Sequence, residues 1–265
     1  MLKEVKIDDR RSAYLGSPQG GGKQPAVIHL HERYGIVKHT TDLAQKFLDA
    51  GYVVLVPDLF SRFTGDRDAL ARGDFQIELS DEEVLQDLDS WISYLQSLPT
   101  VDSSRLAMVG VCQTGRQPLL VSAERKNLSG VVVLYGAIYK LDWQPHPLRP
   151  EPIDRLLERV SCPVQCIFAE LDNLVSLESI LRMRNVLETA KKSFDIRIYP
   201  DAPHGFLNDT MPGRYRTEEA KAAWRQITSF LNAVFDGSWN RERVVWRFEG
   251  DTSPNYDFTK HKRWA

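Results

Sequence analysis

RLAMVGVCQTGRQPLL, residues 105–120, decides how this chain is read. An apolar run from Leu106 to Val111 stops at Cys112, and a segment with helical spacing follows directly. Gly110 lies two residues before the cysteine and Gly115 three after, the outline of a strand-turn-helix elbow that lifts one side chain clear of a sheet. The N-terminus of the following helix favours a thiolate there. A free cysteine has a pKa of about 8.5, so local electrostatics must supply the reactive fraction. The plainer reading, a small buried thiol at a strand end, gives way because of the elbow position.

On both sides of this segment the chain alternates short apolar runs with longer helix-period stretches. AVIHL at 26–30 precedes a helix over 39–50, YVVLVP at 52–57 follows, and a helix over 81–98 leads back to the strand at 105–111. GVVVLY, PVQCIFA and FDIRIYP supply three more strands, and a helix beginning near Arg216 carries Ala222, Ala223, Ile227, Phe230 and Leu231 on one face. Nearly continuous apolar strands separated by helices predict an α/β fold, a mostly parallel central sheet flanked by helices on both faces. Gly51 and Pro99 punctuate two of the helix ends.

Upstream, 4–7 and 12–15 read as a hairpin feeding the glycine-rich loop 19–24. That loop is no phosphate loop: Ser17 stands where its first glycine belongs, and Gln24 follows Lys23 instead of Ser or Thr. The domain is expected over 1–235. Residues 236–265 change character, with Trp239, Trp246, Phe248, Tyr256, Phe258 and Trp264 among many basic residues. This much aromatic area predicts an arm packed on the surface or on a second copy of the chain, which would make a homodimer.

The formal net charge of -2 argues against a nucleic-acid partner, and a small-molecule substrate is expected instead. No signal-like leader and no apolar stretch of membrane-spanning length stand out, so no membrane partner and a cytoplasmic location are expected. Three cysteines, at 112, 162 and 166, suit free thiols in a reducing compartment.

Two further residues stand in the chain order that a nucleophile at Cys112 requires. Asp172 lies just past PVQCIFA, and His204 lies in a proline-bounded loop after FDIRIYP. Nucleophile, acid and histidine in that order give a Cys-His-Asp triad in which His204 moves protons and Asp172 fixes its tautomer. Alone, Asp172 reads as a loop cap and His204 as a surface histidine; together with Cys112 they favour acyl transfer through a thioester, with no cofactor. The oxyanion would sit between the backbone N–H groups of Gln113 and Arg33. Tyr34, Phe60, Tyr135 and Phe206 are expected to line an apolar pocket. A metal site on His29, His31 and Glu32 lacks a completing ligand cluster, and a redox pair of Cys162 and Cys166 falls in a predicted core strand.

At HERYG (31–35), AGYVVLVPDLFSR (50–62), GVCQTGR (110–116), ELDNLV (170–175) and PHGFLND (203–209) the sequence resembles the dienelactone hydrolase family, the cysteine branch of the α/β-hydrolases. The resemblance spans about residues 3–235. It implies the α/β-hydrolase fold, hydrolysis of a lactone or carboxylic ester, and a gating or activating glutamate at Glu32. A carboxylate that close to the nucleophile would oppose a thiolate unless it moved or took a proton. The family clamps a substrate carboxylate with two arginines. Arg62 matches the first and Asn208 stands in place of the second, which weakens the clamp and leaves open a general carboxylesterase or thioesterase acting on uncharged substrates. Thr114, where the elbow ordinarily has glycine, predicts an altered turn. With the aromatic tail it also motivates a non-catalytic binding protein, against which Cys112, Asp172, His204 and Glu32 together speak.

Overall fold

The computed structural model describes residues 1–252. Among these residues nine strands form one sheet: β1 (Lys3–Lys6), β2 (Ser12–Gly16), β3 (Gln24–His29), β4 (Val53–Pro57), β5 (Val101–Val111), β6 (Gly130–Leu134), β7 (Val164–Leu171), β8 (Phe194–Pro203) and β9 (Trp246–Gly250). Their order across the sheet is β1-β2-β4-β3-β5-β6-β7-β8-β9, antiparallel for β1-β2-β4 and parallel from β4 to β9.

The unbroken apolar runs have a direct cause: both faces of the parallel strands are covered. Val53 and Leu55 of β4, Leu106 and Met108 of β5, and Val131 and Val133 of β6 point to one face. There they meet α2 (Arg67–Arg72), α3 (Asp81–Ser97), α4 (Arg116–Glu124), α5 (Ile153–Arg159) and α6 (Leu177–Thr189) through Leu70, Trp91, Leu119, Leu156 and Met183. Val54, Val109 and Val132 point to the other face, under α1 (Lys38–Asp49) and α7 (Thr217–Asp236), whose Phe47, Ile227 and Phe230 are buried. Gly51 turns the chain from α1 into β4 at φ 94°, with its N–H on the Leu48 carbonyl at 3.0 Å. No helix among the described residues is long and apolar enough to cross a membrane.

The stretch expected as an arm joins the sheet as far as it is described. β9 pairs in parallel with β8, Phe194 opposite Trp246 and Ile196 opposite Phe248, covering main-chain groups that an edge strand would leave open. Trp239, 3% exposed, packs edge-on against Phe230 at 5.3 Å. Tyr256, Phe258 and Trp264 lie outside the described residues.

Candidate active site

Five loops at the C-terminal ends of the parallel strands converge: Glu32 follows β3, Cys112 follows β5, Tyr139 follows β6, Asp172 follows β7 and His204 follows β8. This end of an open parallel sheet is where loops from separate strands can aim side chains at one point.

The elbow is built by crowding. Cys112 has φ 53°, a left-handed backbone that costs a non-glycine residue about 1–3 kcal/mol. A Cβ on Gly110 would lie 2.2 Å from the Thr114 carbonyl oxygen, and one on Gly136 would lie 2.1 Å from the Cys112 carbonyl oxygen. Both glycines are therefore required by close backbone approach. Thr114 does not disturb the turn. Its side chain is buried, its hydroxyl accepts from the Val111 N–H at 3.0 Å, and it donates to the Val111 carbonyl at 3.1 Å. A single helical turn of 3-10 type, Cys112–Gly115, leads into α4.

His204 Nε2 lies 3.2 Å from Cys112 Sγ, and its Nδ1 lies 2.8 Å from Asp172 Oδ2. The other carboxylate oxygen of Asp172 accepts from the N–H groups of Leu174 at 2.7 Å and Val175 at 3.0 Å, which fixes its orientation. All three side chains are more than nine-tenths buried. Burial opposes a charge on His204, but Asp172 and Cys112 outweigh it and raise the imidazole well above its ordinary value. Tyr135 stacks edge-on against the ring at 5.1 Å and is backed by Phe206 at 6.0 Å. This arrangement can take a proton from the sulfur and return it to a leaving group.

A cleft of about 990 Å³ opens over the sulfur, lined by Glu32, Arg33, Tyr34, Gln113, Tyr139 and Arg214 among others. The side chains of Arg33 and Gln113 tie down the cleft wall: the first reaches the carbonyls of Gly73 and Phe75 at 3.4 and 3.3 Å, the second that of Ile77 at 2.6 Å. Leu141 and Leu171, about half exposed, form an apolar lip.

Other expected positions fall elsewhere. Tyr135 and Phe206 are fully buried behind His204, and Phe60 is buried against His31 at 4.6 Å, so none of the three lines the cleft. Arg62 grips Asp87 with two guanidinium nitrogens and also approaches Glu83 at 4.0 Å, outside the cleft, because the nearly buried Asp87 carboxylate requires a cation. Asn208 sits behind Glu32, donating to Oε2 at 3.4 Å while its own oxygen accepts from Thr210. Arg214 stands at the cleft.

His29 and His31 share no face. His29 packs against Phe47 and His31 against Phe60 on opposite layers. His31 also uses both ring nitrogens, Nδ1 with the Glu32 carbonyl at 2.8 Å and Nε2 with the Leu59 N–H at 3.0 Å. Cys162 and Cys166 are separate free thiols, one against the Ser122 hydroxyl and the other against the Met183 sulfur, both pushed up by burial.

Glu32 is 4% exposed, and burial pushes its carboxyl up to about 7, against the pull of His204, Arg214 and Asn208. In the unfolded chain the same group ionises near 4.5. Its contribution to stability is thus full below that value, declines as pH rises toward 7, and stays low above it. Glu32→Gln is expected to leave stability unchanged near pH 4.5 and to raise it at pH 8 by on the order of 3 kcal/mol, read by urea unfolding at both pH values.

The dienelactone hydrolase family model matches residues 12–235. Relatives from Escherichia coli O157:H7 and Methylorubrum extorquens, each named "Putative carboxymethylenebutenolidase", are 31% identical over 84% of this chain and 82% of theirs, and 29% identical over 86% and 79%. The crystal structure of a candidate dienelactone hydrolase from Klebsiella pneumoniae superposes with TM-score 0.78 at 25% identity, covering 87% of this chain and 98% of that one. A dienelactone hydrolase-like promiscuous phosphotriesterase from metagenomic libraries shares the fold at TM-score 0.71 and 18% identity, over 89% and 98%.

Proposed function

This chain belongs to the dienelactone hydrolase family and is an ester or lactone hydrolase, and we propose that it cleaves its substrate through a thioester on Cys112, with His204 and Asp172 completing the triad. The observation that carries the reading is the continuous line from sulfur to imidazole at 3.2 Å and from imidazole to carboxylate at 2.8 Å.

His204 takes the thiol proton and the sulfur attacks the substrate carbonyl. The developing oxyanion accepts from the backbone N–H groups of Gln113 and Arg33, whose side chains are engaged elsewhere. His204 protonates the departing oxygen as the C–O bond breaks. It then takes a proton from water as water attacks the thioester, the C–S bond breaks with its electron pair returning to sulfur, and His204 hands the proton back to that sulfur. Asp172 holds Nδ1 protonated so that Nε2 faces the sulfur throughout. Glu32, charged or neutral near pH 7, sets how much negative charge the sulfur meets from the cleft wall.

A second reading, preference for uncharged esters, is favoured by the engagement of Arg62 with Asp87 and by the leucine lip. Purified protein assayed on a dienelactone and on a neutral aryl ester is expected to hydrolyse both. A kcat/KM at least about tenfold higher on the aryl ester supports the second reading, and turnover of neither contradicts the proposal.

A further inference from the structure

The loop after β6 holds strain that the triad does not use. Tyr135 and Ala137 have φ 38° and 72°, two non-glycine residues in the left-handed region within three positions. Such a backbone persists only where its surroundings enforce it. The enforcing contacts are with the elbow. Gly136 sits against the Cys112 carbonyl and Ala137 N against Gly115, so close that a Cβ on either glycine would lie within 3 Å of them. Asp142 then pins the next residues by accepting from the Tyr139 N–H at 2.9 Å, and is itself approached by Arg149 at 3.5 Å.

The result of this bracing is the position of one hydroxyl. Tyr139 Oη stands 3.6 Å from Cys112 Sγ and 3.3 Å from the Tyr135 carbonyl oxygen. One O–H bond can serve one acceptor at a time, and sulfur is the weaker acceptor while it is a neutral thiol. Once it is a thiolate it is the stronger, because hydrogen bonds to ions exceed those between neutral groups.

We propose that Tyr139 is a catalytic residue whose hydroxyl donates to the Cys112 sulfur whenever that sulfur is charged and to the Tyr135 carbonyl when it is not. This deepens the thioester reading above and rests on it. In the first step the hydroxyl stabilises the thiolate left when the proton passes to His204. While the acyl group is attached the sulfur is neutral and the hydroxyl returns to the carbonyl. In deacylation the C–S bond breaks, its electron pair goes to sulfur, and Tyr139 again meets the charge. The tyrosine keeps its own proton throughout, since burial and the nearby Cys112 and Asp172 raise it well above its ordinary value. Sequence inspection misses this residue because GAIYK has no motif, and only the backbone of 135–139 brings it to the elbow.

The test reads the sulfur without any substrate: the rate of iodoacetamide alkylation against pH, for the full chain and for Tyr139→Phe, with Cys112→Ala marking the background from Cys162 and Cys166. The charged or titrating groups nearest the sulfur are His204, Asp172, Glu32, Tyr135 and Tyr139, with Arg33, Lys140, Asp142, Arg149 and Arg214 on the surrounding cleft wall, and the variant alters Tyr139 alone. Tyr139→Phe is expected to alkylate about tenfold more slowly at pH 6, with the midpoint of its profile displaced to higher pH and an equal or faster plateau at alkaline pH. A profile that superimposes on wild type, or that is scaled down equally at every pH, overturns the proposal. Should the variant fail to fold, wild type labelled with carbon-13 at tyrosine Cζ decides. One Cζ resonance is then expected to titrate with the alkylation midpoint and to lose that titration in Cys112→Ala; its absence overturns the proposal. Because no ester is present, a wild type inactive on esters that still shows the displaced profile counts against the thioester reading alone.

Discussion

Cys112→Ala is expected to lower kcat/KM on the preferred ester or lactone by about 10⁴-fold or more while leaving the fold intact. The size follows from what remains: oxyanion donors and a binding cleft with no group to attack, and removal of a nucleophile from a triad typically costs as much as removal of the whole unit. The fold is spared because alanine keeps the Cβ that the elbow already accommodates at φ 53°, and the deleted sulfur faces the cleft. Initial rates beside a thermal melt check both halves. A variant retaining more than about a tenth of wild-type activity would place the nucleophile elsewhere.

Asp172→Asn is expected to cost about 10³–10⁴-fold in kcat at neutral pH. The environment decides how the asparagine sits. The N–H groups of Leu174 and Val175, which now share one carboxylate oxygen, still need an acceptor, so the amide oxygen faces them and the NH₂ faces His204. An NH₂ donates, so Nδ1 becomes the acceptor, the imidazole proton moves to Nε2, and the nitrogen facing the sulfur can no longer take its proton. Stability shifts with a defined sign. The raised His204 value contributes stability that is full below the ordinary histidine range and is lost as pH rises through the folded value. The deficit of the variant in urea unfolding is therefore wider at pH 6 than at the alkaline end. A deficit that is the same at both pH values would contradict the assignment.

The parts of the molecule legible in sequence are those where one residue type serves one physical need. The βαβ rhythm could be read because strands covered on both faces have few polar positions, as Val53 to Val56 and Val131 to Leu134 illustrate. The spacing around Cys112 was legible because Gly110 is required by contact with its own turn. Thr114 misled because its identity, not its hydrogen bonding to Val111, is what a sequence displays. Where Arg62 sits was not legible for the opposite reason: matching position says nothing about a competing carboxylate, and Asp87, 25 residues away on α3, holds the guanidinium outside the cleft. Apolar aromatic residues near the motifs read alike, yet Tyr34 lines the cleft whereas Phe60, Tyr135 and Phe206 support it from behind. Tyr139 and the strand over Trp246–Gly250 depend on long-range backbone placement, which no local pattern encodes.

Trapping the covalent intermediate shows which side chain attacks the substrate. Protein mixed with excess aryl ester, quenched in acid within the first turnovers and digested, is predicted to carry the acyl mass on the peptide containing Cys112, with the label absent in Cys112→Ala and released by hydroxylamine as a thioester is. An acyl mass on another residue, or full turnover by Cys112→Ala, would contradict the account.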